Sequence, residues 1–349
     1  MSHKKQPLLR RLNYSPVPAI ALNKLQRAAI VKFNSAIKKG MIKYSSNPCL
    51  CGGCNDIVIG YRDRYGLDVT TVLCKNCGLM RTDPYLDYDS IRTFYRDYYR
   101  PIYVGYPKAT HEFFEEQLNH GQKIFTFLND LRTDINITKV YEIGCGAGGI
   151  LEFFKEKGLQ VAGCDLGSEY LEYGKDKGLQ LDCGNSRLLE KYGPADLVIL
   201  CHVLEHIRDP GSEVTRLRNL LKPGGLLYVE VPGILWTMHS SYIDFLIYLQ
   251  NAHVYNYCLK SLDFVMSQSG FKRIRGTEQV KAVYQMMNVI KPQLPSAELD
   301  NKIVRYLRWA EIAKSFWPGG LNLRSMVGYI GRRVLGNACF ENLRKRIHT

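Results

Sequence analysis

A short apolar run, Val140 to Ile143, meets three glycines at alternate positions, Gly144, Gly146 and Gly148, with Gly149 beside them. That pattern reads as a β-strand turning sharply into a helix. Glycine is needed where φ is positive or where a ligand must touch bare backbone. The helix expected over Ile150 to Lys157 would aim its free N–H groups at that ligand. Together they describe a nucleotide-type cofactor site. Gly144, Gly146 and Gly149 also satisfy the dinucleotide pattern G-x-G-x-x-G, so the loop alone does not choose among cofactors.

The residues that follow narrow the choice. Gln160 to Cys164 reads as a second strand ending at Asp165, about twenty residues past the turn, where an acid meets a ribose diol. Asp196 to Cys201 reads as a buried strand, followed by His202-Val-Leu-Glu205-His206 and then by Leu221-Lys-Pro-Gly-Gly225 before a strand over Leu226 to Val231. With Glu142 ahead of the glycines, this order resembles the class I S-adenosylmethionine-dependent methyltransferases from about Lys139 to about Gly276. The resemblance implies a Rossmann-like, doubly wound α/β domain. It implies that Gly144, Gly146 and Gly148 line the methionine and ribose portions of S-adenosylmethionine, that Asp165 binds the ribose hydroxyls, and that Asn185 or Ser186 sits near adenine. Glu142, Leu166 and His202 complete the expected cofactor set. A dehydrogenase or a non-binding Rossmann relative is the competing reading.

Cysteine spacing gives a second signal. Five of the eleven cysteines fall in two clusters, Cys49-Leu-Cys51-Gly-Gly-Cys54 and Cys74-Lys-Asn-Cys77. The β-prone runs Ile57 to Arg62 and Asp68 to Leu73 between them, around Tyr65-Gly66, form a hairpin pattern. Two cysteine knuckles joined by a hairpin predict a zinc ribbon, in which four thiolates hold a structural Zn²⁺ and stabilise a module too small for its own core. Cys74 and Cys77 form one pair; spacing prefers Cys51 with Cys54 for the other and leaves Cys49 with Cys51 open. Disulfides are the alternative, disfavoured by the lack of an export signal. Cys145, Cys164, Cys183, Cys201, Cys258 and Cys339 are scattered and read as small core residues.

A cysteine module ahead of such a domain resembles the bacterial methyltransferases that act on sugars in antibiotic and surface-polysaccharide biosynthesis, including nucleotide-sugar C-methyltransferases. The segments Arg81 to Pro84, His202 to His206 and His253 to Leu262 carry that resemblance. The best-known sugar C-methyltransferases have a further large C-terminal domain, where this chain has only a short stretch after Lys291. The resemblance implies a small-molecule acceptor, a sugar, nucleotide sugar or glycan precursor.

The formal charge of +14 would suggest a polyanionic partner if it covered the central domain. Residues 1–46 carry ten Lys or Arg and no acid, and residues 291–349 carry eleven against four, which leaves 47–290 at −3. Basicity therefore belongs to the ends. Leu22, Leu25, Ala29, Phe33, Ile37 and Met41 recur at helical spacing among lysines, which predicts an amphipathic basic helix that packs on its own domain or lies on an anionic membrane surface. No apolar run reaches the length of a membrane span, and a cytoplasmic location, with peripheral contact at the inner membrane face as an option, is expected.

Methyl transfer from a sulfonium is an in-line displacement, so positioning supplies much of the rate, and a base is needed if the acceptor must lose a proton. His202, Glu205 and His206, after the fourth strand at the carboxyl edge of the sheet, are the candidates, with His253 and Tyr257 as further contributors. If helical, His202, Glu205 and His206 share a face and offer a two-histidine, one-carboxylate metal set. An RNA methyltransferase is one alternative, weakened by the absence of an N/D-P-P-Y type box and by the acidic centre; a quinone-type O-methyltransferase is another. The expected organisation is a basic helical arm (1–46), a zinc ribbon (47–83), a Tyr- and Arg-rich helical connector or lid (84–120), the methyltransferase domain (121–290) and a basic helical tail (291–349).

Overall fold

The computed structural model describes residues 5–105, 108–131, 136–240, 244–293 and 298–316. The expected basic tail from residue 317 onward, with Cys339, lies outside them. Helix α1 (Lys24–Lys38) starts at a reciprocal cap: Asn23 accepts from the Gln26 amide, and the Gln26 side chain accepts from that of Asn23. Its apolar stripe buries Ala29, Phe33 and Ala36. After β1 (Tyr44–Ser45) come β2 (Asp56–Arg62), β3 (Asp68–Cys74), β4 (Met80–Thr82) and β5 (Tyr85–Leu86). The connector is helix α2 (Tyr88–Phe94) running into a π-helical segment, Tyr95–Val104, that contains Pro101. Phe33 of α1 packs on Phe94 and Tyr98, so the basic helix covers this connector.

The α/β layer follows: α3 (His111–Asn129), β6 (Lys139–Ile143), α4 (Gly149–Glu156), β7 (Gln160–Asp165), α5 (Ser168–Asp176), β8 (Leu181–Cys183), β9 (Ala195–Cys201), α6 (Pro210–Leu217), β10 (Leu221–Glu230), α7 (Phe245–Tyr248), β11 (Tyr255–Asn256), α8 (Leu259–Gln268), β12 (Phe271–Gly276), β13 (Lys281–Met286) and α9 (Leu299–Phe316). Seven strands form one sheet in the order β12-β13-β10-β9-β6-β7-β8. Strands β6 to β10 are parallel, and β13 is antiparallel to both its neighbours. Covered on both faces, β9 reads as one continuous apolar run, with Leu197 to Leu200 fully buried. Strand order reverses between β6 and β9, and open α/β sheets bind ligands at the carboxyl side of such a point. The register opposes Ile143 to Cys164 on one side and to Leu200 on the other, which places Gly144, Asp165 and Cys201 along the same edge.

The ribbon hairpin β2–β3 continues through β4 into a four-stranded sheet whose last strand is β11, contributed by the residues after α7. Helix α9 lays Leu299, Ile303 and Leu307 across the same apolar cluster as Ile59, Leu73 and Met80 of the ribbon. The cysteine-bearing sheet is thus hydrogen-bonded to the segment between β10 and β12 of the α/β layer. Of the scattered cysteines, Cys145, Cys164 and Cys258 are buried; Cys183 is exposed and Cys201 half-buried, because both stand at strand ends.

Candidate active site

The edge beside β6 and β7 is built almost entirely from backbone. Gly144, Gly146 and Gly148 take φ of 73°, 56° and 81°, in the left-handed region. A Cβ on Gly144 would stand 2.3 Å from Val203 Cγ2, so the loop after β9 packs directly against bare backbone. The Gly146 amide donates to Asp165 Oδ2 at 2.9 Å, and Asp165 Oδ1 accepts from the Gly167 amide at 2.7 Å and from Arg100 Nη2 at 3.0 Å. The Arg100 guanidinium also lies 3.7 Å from the centre of the Tyr170 ring. Glu142 is buried, its Oε2 has no hydrogen-bond partner, and burial with the nearby Asp165 charge pushes its carboxyl well above the usual range. Leu166 follows Asp165 as a large exposed apolar side chain. Asn185 caps the 3-10 turn Ser186–Tyr192 through the Arg187 amide, and Ser186 is buried with its hydroxyl on Glu213 at 2.6 Å. An unpaired carboxyl oxygen, a ribose-type acid and a positive-φ glycine loop in one edge fit the adenosyl and amino-acid parts of S-adenosylmethionine.

The box after β9 folds differently from the shared helix face expected of it. His202 has φ of 56°, a left-handed conformation costly for a side chain with a Cβ and common at functional sites. Only Leu204–His206 makes a single 3-10 turn, and His202 precedes it. The three residues still converge, with a fourth. Glu205 Oε1 stands 3.4 Å from His202 Nδ1, 3.9 Å from His206 Nε2 and 3.9 Å from His253 Nε2. Glu205 is 1 % exposed and neither of its carboxyl oxygens has a hydrogen bond. Burial lowers the pKa of both His206 and His253; burial also opposes protonation of His202, but Glu205 and Glu230 outweigh it and hold that ring above its ordinary value. His206 Nδ1 lies 3.0 Å from the Ala252 carbonyl, so it carries the proton and leaves Nε2 facing Glu205.

Aromatic residues of the π-helical segment cover this box: the Tyr99 and Tyr95 rings lie 5.6 and 6.4 Å from His206, which lies 5.0 Å from His253. Around it, Tyr95 Oη, Tyr257 Oη, Asn256 Oδ1 and His253 Nδ1 are buried without partners. Most buried polar atoms in folded proteins are paired, so such a concentration calls for partners from outside the protein, such as water, an ion or a ligand. Glu205, His206 and His253 offer three donors within 4.8 Å of one another, a different trio from the His202, Glu205 and His206 set that a helical box would have offered. The His253 nitrogen nearest Glu205 already meets the Gln250 amide, so that set has two free donors rather than three. A further grouping, His120, Cys201 and Glu230, is an internal charge network: Glu230 accepts from Tyr228 at 2.6 Å and pairs with His120 at 2.9 Å and Lys281 at 3.1 Å.

In the ribbon, Cys49, Cys51, Cys74 and Cys77 bring their sulfurs within 4.8 Å of one another. Cys49 lies 3.4 Å from Cys77, and Cys51 lies 3.6 Å from both Cys49 and Cys74. Four sulfurs about 2.3 Å from a central ion would stand about 3.8 Å apart, so this set fits a tetrahedral Zn²⁺. The spacing preference for Cys51 with Cys54 is corrected here. A tight turn closed by the Gly52 amide on the Cys49 carbonyl folds Cys51 back beside Cys49 and leaves Cys54 exposed outside the cluster. The hydrogen bond with the Cys77 sulfur draws the pKa of the Cys49 thiol down to about 5. Next to the cluster, buried Arg81 makes a two-pronged bond to Asp56 at 2.9 and 2.7 Å.

Sequence reasoning missed Gln117, whose side chain accepts from the Ala147 and Gly149 amides and donates to the Cys145 carbonyl, bracing the glycine loop from α3. It missed Arg100 as a partner of Asp165, although a lid is one of the two roles the sequence offers for the Tyr- and Arg-rich connector, beside plain packing between domains. It also missed Gln250, which has no motif around it.

A family model described as "Methyltransferase domain" matches residues 105–275. Two curated relatives carry the name ubiquinone biosynthesis O-methyltransferase. The one from Xylella fastidiosa is 32% identical over 127 residues, 32% of this chain and 52% of the relative. The one from Escherichia coli is 38% identical over 111 residues, 29% of this chain and 46% of the relative. The chain therefore spans about half the length of the curated relatives it matches. Among solved structures, a SAM dependent methyltransferase from Archaeoglobus fulgidus is 18% identical with a TM-score of 0.38, covering 56% of this chain and 87% of that one. An O-methyltransferase family protein from Burkholderia thailandensis is 15% identical with a TM-score of 0.40, covering 51% and 59%. Likeness at that level adds nothing to the assignment, which rests on the family match together with the strand order and the glycine edge. Residues 105–275 form a class I, S-adenosylmethionine-dependent methyltransferase domain.

Proposed function

We propose that this protein transfers a methyl group from S-adenosylmethionine to a small polyhydroxylated acceptor, most simply a sugar, nucleotide sugar or glycan precursor, and that a structural Zn²⁺ sits in its four-thiol cluster. The observation that carries the acceptor class is the set of buried polar atoms without partners around Glu205: its own two oxygens, Tyr257 Oη, Asn256 Oδ1, His253 Nδ1 and Tyr95 Oη. A molecule with several hydroxyls pairs such atoms, whereas a wholly apolar acceptor leaves each at a cost of about 1–3 kcal/mol.

When bound, the cofactor supplies an electrophilic methyl group on a sulfonium. The glycine loop and Glu142 would hold its amino-acid end and Asp165 its ribose. His202 and Glu205 are the pair best suited to take a proton from the acceptor, since the imidazole stands at the sheet edge with the buried carboxyl 3.4 Å behind it. Tyr95 and Tyr99 would exclude water by covering the box.

A second reading is favoured by the names of the relatives and by that tyrosine wall: a phenolic, quinone-type acceptor stacked on the rings. The central span's −3 charge argues against a nucleic-acid acceptor. The test is methyl transfer from a labelled donor to a panel of nucleotide sugars and a panel of catechols. Label on the sugars supports the first reading; label on catechols alone replaces it with the second.

A further inference from the structure

The cysteine ribbon reaches the acceptor side of the site through its hairpin tip. Asp63, buried, accepts from the Tyr65 and Leu67 amides to close the tip and from the Asn251 amide at 3.0 Å. The Arg64 amide donates to the Leu249 carbonyl, and Thr82 bonds to the His253 carbonyl through Oγ1 and to the Val254 carbonyl through its amide. Strand β11 then pairs with β4. Residues 249–256, which carry His253, are thus held along their length by the ribbon.

One side-chain chain runs through this contact. Arg64 Nη2 donates to Gln250 Oε1 at 2.9 Å, and Gln250 Nε2 meets His253 Nε2. A guanidinium only donates, so the Gln250 end facing Arg64 is its carbonyl oxygen and the end facing His253 is its NH₂. An amide NH₂ only donates, so His253 Nε2 accepts and carries no proton. A neutral imidazole holds its proton on one nitrogen, and Nδ1 is the one remaining, buried and without a partner.

Resting on the acceptor-site reading above, we infer that Arg64 is a positioning residue of this site: through Gln250 it fixes His253 as the Nδ1–H tautomer. The ring then keeps its proton on Nδ1, on the side of the Asn256 side chain, and proton removal falls to His202 and Glu205. The ribbon has a role in the chemistry beyond holding a metal.

The experiment is nitrogen NMR on full-length, zinc-loaded protein labelled with ¹⁵N-histidine, with the His253 signals identified by their loss in His253→Gln. The expected result is a pyridine-type Nε2 and a pyrrole-type Nδ1 in the wild type, retained in Arg64→Lys. Gln250→Glu puts an acceptor where the donor was and is expected to reverse the two; Arg64→Met, which frees the amide to turn, is expected to give a mixture. A protonated Nε2 in the wild type, or an unchanged tautomer in Gln250→Glu, overturns the inference. S-adenosylhomocysteine titrated into the same samples separates the two levels: a wild type that fails to bind it sinks the functional reading while the tautomer is still read directly.

Discussion

The two halves of the site are made in opposite ways. Along β6 and β7 the cofactor edge is assembled from backbone over a short span, and its acid Asp165 is oriented by the Gly146 and Gly167 amides and by Arg100. Around Glu205 the proposed acceptor edge is assembled from side chains of distant segments, residues 64, 95–99, 202–206 and 250–257, and several of its polar atoms lack partners. A cofactor shared by many enzymes is served by a conformation that glycine spacing encodes. An acceptor is served by whatever the packing of separate segments brings together.

The sharpest way to break the comparison is to remove the acceptor edge's central carboxyl. Glu205→Gln is expected to lower the methyl-transfer rate by about 10²–10³-fold, while raising thermal stability by about 1 kcal/mol, because an amide can donate to His206 Nε2 where an unpaired carboxyl could not. Turnover and a melting curve on one sample check both. A loss of stability with full turnover would remove Glu205 from the site.

Next in size is the thiol cluster that supports the acceptor edge. With the proposed Zn²⁺ in that cluster, Cys74→Ser is expected to bind none by elemental analysis and to lower the melting temperature by about 10 °C. Cys54→Ser should keep the metal and the melting temperature, since that thiol stands outside the cluster.

Two buried glutamates sharpen the contrast through pH, with opposite signs. Glu230 feels burial, which would raise it, but the bond from His120 and the charges of His120, His202 and Lys281 hold it at about 2. Its contribution to stability is complete above the ordinary glutamate value of about 4.3 and is lost as pH falls toward 2. Urea midpoints between pH 5 and pH 3 should therefore fall less steeply in Glu230→Gln than in the wild type. Glu142 is displaced upward, so its ionisation opposes folding above about pH 4.3, and Glu142→Gln should make the ligand-free protein slightly more stable at neutral pH.

Legibility in the sequence followed the same division. The glycine loop, Asp165 and the strands around them are local patterns with few solutions, and the fold class came from them. The hairpin between the cysteine pairs was also local, yet the partner of Cys51 was not, because it depended on a turn at Gly52 that spacing alone does not distinguish. The convergence of His253 on Glu205 joins residues far apart in the chain, and no periodicity signals it. The condition under which His202, Glu205 and His206 would share a helical face is not met, because His202 takes a left-handed conformation, which tertiary packing imposes against local preference.

The central claim is tested most directly by calorimetric titration of the wild type and Asp165→Ala with S-adenosylhomocysteine. The account predicts binding at roughly micromolar Kd in the wild type, weakened on the order of 100-fold in the variant through loss of two charge-assisted bonds to the ribose. A folded, zinc-loaded wild type that binds no S-adenosylhomocysteine would contradict it.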